Sequence, residues 1–227
     1  FFVFSDFLKP MARLSALSNI PLTYVLTHDS IGVGEDGPTH EPIEQLSMLR
    51  SMPNFTTFRP ADAKETAYGW AYALSSTTTP TGLILSRQNL PLLKTSGEDA
   101  LKGAYVVADA DKLDVILMAS GSEVHLAIEA AEAAAKENIG VRVVSMPSME
   151  LFKEQSKDYQ ESVLPTAVRS RIAIEAGASD SWGQFVGLDG AYICIDRYGA
   201  SAPGDTIFKE YGFTVENVLS TIKGLIG

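Results

Sequence analysis

Cysteine is nearly absent from this chain of 227 residues. Cys194 is the only one, so no disulfide can close within the chain, and a reducing, cytoplasmic setting is expected. It lies in the apolar run from Ala191 to Ile195, where a packed and unreactive thiol is the ordinary outcome. Basic residues are also scarce, 18 Lys and Arg against 28 Asp and Glu, for a net charge of -10. That balance excludes sequence-independent binding of nucleic acid and attraction to an anionic membrane surface, both of which need a basic face. Any phosphate site must therefore be local. No apolar stretch approaches the roughly 18 residues of a membrane span, and no signal peptide, internal repeat or low-complexity tract is visible. The glycine spacings of dinucleotide and P-loop sites are missing, as are His-x-x-x-His and any tight carboxylate cluster, so no metal ligands are assigned.

What is present is a strongly globular composition, 45% hydrophobic, enough for one large domain or two of about 100 residues each. Apolar strand-like runs alternate with helical patterns, which predicts an α/β fold of two domains, each a largely parallel sheet flanked by helices. Strands are expected at Pro21–Leu26, Asn54–Arg59, Leu83–Ser86, Val115–Ala119, Val141–Ser145, Arg171–Glu175 and Ala191–Ile195. Helices are expected over residues 1–17, 42–52, 62–75 with Asp62 as cap, 122–138, 159–164, 206–211 and 215–225. Pro10 should start or kink the first of these. A shift to Lys, Ser, Gly, Glu and Asp between about residues 93 and 112 marks a linker, dividing a first domain, 1–92, from a second, 113–227. The chain opens on Phe1-Phe2-Val3-Phe4 within an apolar pattern and without an initiator methionine, which suggests a piece of a longer protein.

The densest chemistry lies between Thr27 and His40. This stretch holds two of the three histidines, His28 and His40, with Asp29, Glu35, Asp36, three glycines and Pro38. It leaves an apolar strand at its carboxyl end, where open α/β sheets bind their ligands. The glycines permit turns that hold His28, Asp36 and His40 in fixed relation. Histidine can move protons near neutral pH, and an ionised Asp can accept hydrogen bonds from a polyol. Arg87 follows the strand-like run Leu83–Ser86 and is placed to hold phosphate or carboxylate. Phe1, Phe4 and Phe7 recur at helical spacing, which by itself reads as ordinary core. His125 sits in an Ala-rich helix as a half-exposed or capping residue, and Ser120-Gly121-Ser122 reads as a structural helix-start loop.

At these residues the chain resembles the carboxyl-terminal part of the transketolase family. The run Thr27–His40 followed by Glu41-Pro-Ile-Glu-Gln45 is similar to the family's signature. Further matches are Leu85-Ser-Arg-Gln-Asn-Leu90, Ala119-Ser-Gly-Ser-Glu-Val124, Arg142-Val-Val-Ser-Met-Pro-Ser148, Ser162-Val-Leu-Pro165 and Gly212-Phe-Thr-Val215, so the likeness covers essentially the whole chain. The resemblance implies thiamine diphosphate and a divalent metal, Mg or Ca, in transfer of a two-carbon ketol unit between sugar phosphates in the pentose phosphate pathway. Residues 1–92 would be most of a pyrimidine-binding domain, incomplete at its amino end, and 113–227 the carboxyl-terminal domain. Phe1, Phe4 and Phe7 would line the cofactor, Phe4 stacking on the aminopyrimidine; Phe7 stands where the family often has tyrosine. His40 would act near the reacting carbon of the thiazolium, His28 and Arg87 would bind sugar phosphate, and Asp36 would read a substrate hydroxyl. The metal and the diphosphate would be held by an amino-terminal domain, the activating glutamate would lie before Phe1, and the enzyme would be a homodimer. These residues alone are therefore expected to be inactive. Dihydroxyacetone synthase, 1-deoxyxylulose-5-phosphate synthase and a stable non-catalytic fragment are the alternatives.

Overall fold

The computed structural model describes residues 1–227, and two parallel-strand units organise them. The first sheet comprises β1 (Thr23–Thr27), β2 (Thr56–Phe58) and β3 (Thr81–Leu85) in the order β1-β3-β2, all parallel. β3 is central and buried, Leu83 and Ile84 completely so, and it aligns Thr81 with both Thr23 and Thr56. Gly82 leaves room for the ring of Phe55, which a Cβ there would approach to 3.1 Å. The helices α1 (Ser5–Leu17), α2 (Gln45–Arg50) and α3 (Ala63–Ser75) accompany this sheet.

The second sheet runs in the order β4-β6-β5-β7-β8, formed by β4 (Tyr105–Ala108), β5 (Val115–Ala119), β6 (Val141–Ser145), β7 (Arg171–Ile174) and β8 (Ala191–Ile193). Only β4 is antiparallel, against β6. All five residues of β5 are buried, as a strand covered by helices on both faces requires. Around this sheet lie α4 (Glu123–Ala135), α5 (Met149–Lys153), α6 (Lys157–Val163), α7 (Gly183–Val186), α8 (Gly204–Glu210) and α9 (Val215–Ile226). No helix is long and apolar enough to cross a membrane.

Several elements differ from the expectation. α1 begins at Ser5, after a 3-10 turn over Phe2–Phe4, and runs through Pro10 in its second turn, which forfeits the bond to the carbonyl of Asp6. Its small residues Ser5, Ala12, Ser15 and Ala16 face inward, while Phe7, Met11, Leu14 and Leu17 face out. α2 is shorter than 42–52, because the backbone of Ile43 is engaged in one local and one tertiary bond instead. Its amide donates to Gln45 Oε1 at 3.0 Å and its carbonyl accepts from the Ala178 amide at 2.9 Å. α5, in a stretch expected to be irregular, is capped by Ser148, whose Oγ accepts from the Leu151 amide. Tyr105–Ala108 lies within the stretch assigned to the linker and pairs with β6.

The two units pack into one another. A single apolar cluster runs from Ile31, Phe58 and Leu83 in the first to Leu117, Ala119 and Ile174 in the second. Polar contacts cross the same join: Glu65 of α3, completely buried, accepts from Tyr105 Oη at 2.7 Å and Ser145 Oγ at 2.6 Å. His125 of α4 bonds through Nε2 to the Ala61 carbonyl at 3.1 Å, half-buried as expected.

Candidate functional site

The loop Thr27–His40 leaves the carboxyl end of β1 and is shaped by local chemistry first. Ser30 caps the 3-10 turn Ile31–Val33, its Oγ accepting the Gly32 amide at 3.3 Å. Gly34 and Gly37 take φ values of 83° and 74°, where a side chain would be strained. Both also touch the second unit. A Cβ on Gly34 would come within 3.3 Å of the Gly204 amide nitrogen, and one on Gly37 within 3.1 Å of Ser201 Cβ. Ser201 Oγ donates to the Glu35 carbonyl at 2.5 Å.

The loop brings His28 and His40 together around Phe1. The ring centroids lie 4.7 Å and 5.3 Å from that of Phe1, both edge to face. Phe4 lies 5.3 Å from His40, also edge to face. Phe1 and Phe4 are 47% and 43% exposed, so their ring surfaces remain open beside the histidines. Phe7 stands apart, 84% exposed and in contact with Phe4 at 6.4 Å rather than with either histidine. His40 Nδ1 shares a hydrogen bond with Thr39 Oγ1 at 2.8 Å, which leaves Nε2 to exchange a proton. His28 is half-buried and its Nδ1 has no protein partner. Burial first, and then the positive charge of Arg87, hold its pKa below the ordinary value, while Asp29 and Asp36 oppose them. Asp36 and Arg87 are exposed and within electrostatic reach of the same imidazole. Arg87 also lines an open cavity of about 400 Å³ with Gly32, Glu35, Gln88 and Gly204. The histidines and phenylalanines do not line that cavity, but an imidazole with a guanidinium and a carboxylate in electrostatic reach can bind an anionic polyol, and a second imidazole beside exposed aromatic rings can serve a planar group.

Beneath the loop is a buried charge cluster that reading by motif missed. Arg59, fully buried, donates through Nε and NH2 to Asp29 Oδ2 at 3.0 and 2.8 Å, and through NH1 to Glu123 Oε2 at 2.5 Å and the Ser120 carbonyl at 2.9 Å. Glu175 accepts from both terminal nitrogens of Arg50 at 2.6 and 2.8 Å, from Ser120 Oγ at 2.5 Å and from Trp182 Nε1 at 2.8 Å. Burial alone would raise the Glu175 pKa, but Arg50 and Arg59 pull it down to about 2. Ser120-Gly121-Ser122 is thus a structural loop as expected, but one built around a guanidinium. With Gly121 at a φ of 60°, a Cβ would lie 2.6 Å from Arg59 Cζ. Arg59 and Glu175 directly follow β2 and β7, as Ser120 follows β5. The rule that singled out Arg87, a polar residue just past a buried strand, applied equally to these positions.

Glu41 follows His40 and points the other way. It is only 2% exposed and has no side-chain partner, only the nearby Ala200 amide; its Oε2 occupies space that a Cβ on Gly199 would need. Burial raises its pKa from 4.5 to about 7. The native state therefore holds a proton that the unfolded chain releases between those values, so stability falls as pH rises from about 4.5 to about 7 and levels off above. Glu41→Gln removes this loss, and is expected to raise the urea midpoint at pH 8 while changing it little at pH 4.5. An equal effect at both values would refute the assignment. Cys194 is half-buried, and burial pushes its thiol pKa up, consistent with packing rather than reactivity.

The family described as "Transketolase, pyrimidine binding domain" matches residues 1–92, and "Transketolase-like TK C-terminal domain" matches residues 103–214. The transketolase of Bacillus subtilis is 58% identical over 232 residues, covering 100% of this chain and 35% of that protein. The transketolase of Geobacillus stearothermophilus is 56% identical with the same coverage. Among solved structures, the transketolase from Leishmania mexicana superposes with a TM-score of 0.96 at 45% identity, over 100% of this chain and 33% of that one.

Proposed function

This chain belongs to the transketolase family, of whose matched relatives it spans about a third of the length, and on that premise we propose that it forms the pyrimidine-binding and carboxyl-terminal parts of a thiamine diphosphate-dependent ketol transferase. The reaction in this reading moves a two-carbon ketol unit from a ketose phosphate to an aldose phosphate. The observation that carries it is the meeting of His28, His40, Phe1 and Phe4 in one cluster, with Arg87 and Asp36 in reach.

The residues fit the cofactor, since the exposed rings of Phe1 and Phe4 suit the planar π-face of an aminopyrimidine. When bound, thiamine diphosphate supplies the carbon that accepts and passes on the ketol unit. Phe4 would stack on the ring with Phe1 beside it, and Phe7, which reaches only Phe4, would line the outer edge of the pocket. His40, anchored at Nδ1, gives and takes protons through Nε2 at the substrate oxygens. His28, its pKa lowered by burial and by Arg87, donates to the sugar phosphate, and Arg87 supplies the charge. Asp36 accepts from a substrate hydroxyl and so selects its configuration. In this reading a divalent cation, Mg or Ca, and the diphosphate are held by an amino-terminal domain outside residues 1–227.

The outward stripe of Phe7, Met11, Leu14 and Leu17 on α1, continued by Ile20, Leu22 and Val25 to the edge strand β1, is an apolar surface that calls for a protein neighbour. It is assigned to that outside domain and to a second subunit of a homodimer. One cysteine and no membrane-length helix fit a cytoplasmic enzyme.

The test is Arg87→Ala in the full-length protein. Losing a charge-assisted bond of about 1.5–3 kcal/mol should raise KM for a ketose phosphate roughly 10- to 100-fold with kcat little changed. Unphosphorylated substrates should be unaffected. Equal effects on both substrate types would sink the phosphate role.

A further inference from the structure

The proposed substrate groups all belong to the first unit, yet their loop is held from the second. At its start, Asp29 adjoins His28 and is gripped by Arg59 through two bonds. Arg59 is in turn aimed by Ser120, Gly121 and Glu123, all of the second unit. Glu123 is itself fixed, accepting the Ala176 amide at 2.9 Å and Ser122 Oγ at 2.5 Å. At the loop's other end Ser201, Gly204 and Gly199 press on Glu35, Gly34 and Glu41. Everything between His28 and α4 is buried, so the path is rigid: a guanidinium with no free space and no water access transmits the placement of one carboxylate to the other.

We propose that Gly121 and Glu123 of the second unit are positioning residues for His28, setting through Arg59 and Asp29 where its imidazole meets the sugar phosphate. The inference rests on the reading of His28 as a phosphate-binding group. It assigns the carboxyl-terminal unit a specific task in substrate binding, as the template for a loop that it does not carry.

Two variants of the full-length protein test it, beside Arg87→Ala as reference. Gly121→Ala forces a Cβ against the Arg59 guanidinium, and Glu123→Gln keeps the shape while removing the charge. In each, the calorimetric Kd and the KM for an aldose phosphate should rise about fivefold or more, while kcat and the KM for a short unphosphorylated aldehyde stay within about twofold. A lower melting temperature with unchanged KM, or equal changes for both aldehydes, would overturn the proposal and leave the contacts merely structural. Should Gly121→Ala fail to fold, Glu123→Gln decides alone. If Arg87→Ala fails to separate the two aldehydes, the phosphate reading falls and the proposal with it; if Arg87→Ala separates them and the second-unit variants do not, only the proposal falls.

Discussion

Replacing Arg59 with methionine is expected to lower the stability of this chain by about 3–5 kcal/mol, read as a fall in the urea midpoint. The wild-type cluster sets two guanidinium groups, Arg50 and Arg59, against three carboxylates, Asp29, Glu123 and Glu175, all buried. Methionine fills much of the volume but leaves Asp29 and Glu123 without their cation, and Glu175 with Arg50 alone. The large effect comes from stranding those charges, not from the intrinsic worth of an ion pair; a buried pair replaced whole by apolar groups can be neutral. Hence Arg59→Met combined with Asp29→Leu and Glu123→Leu should lose much less than the sum of the three single replacements, a non-additivity that the same denaturation experiment reads. A single-mutant loss below about 1 kcal/mol would mean that the carboxylates reach water or take up protons without disturbing the join between units.

His40→Ala in the full-length enzyme is expected to reduce kcat for ketol transfer by about 10²- to 10⁴-fold, the range for loss of a positioned acid–base group. Its KM should move far less, because phosphate binding is assigned to His28 and Arg87. The geometry favours a chemical role: Thr39 fixes one ring nitrogen, Phe1 and Phe4 hold the ring edge-on, and Nε2 stays available. Steady-state kinetics with an unphosphorylated donor and acceptor make the check independent of phosphate binding. A kcat within threefold of wild type, with KM raised, would move His40 from proton transfer to binding.

Much of this molecule was legible before any coordinates. The alternation of apolar runs with helical patterns placed β3, β5, β6 and β7 within a residue or two, because a strand covered on both faces has to be continuously apolar. Asp62 announced α3 because its side chain satisfies a free amide locally, at Glu65. The loop from Thr27 to His40 stood out by composition alone. α1 was harder: its apolar spacing was clear, but spacing does not say which face is covered, and the larger residues point outward.

The sequence by itself determined the fold class, the family, and which loop carries the histidines, because periodicity, capping and a dense motif are encoded by neighbours along the chain. Only the tertiary structure decided that His28 and His40 share Phe1, that Arg59 joins the two units under that loop, and that Glu41 is buried without a cation. Arg59 and Glu123 are 64 residues apart, and Arg50 and Glu175 are 125 apart. Separations of that size leave no trace in local pattern. They are set by how two sheets stack, and burial then makes each such contact strong or costly.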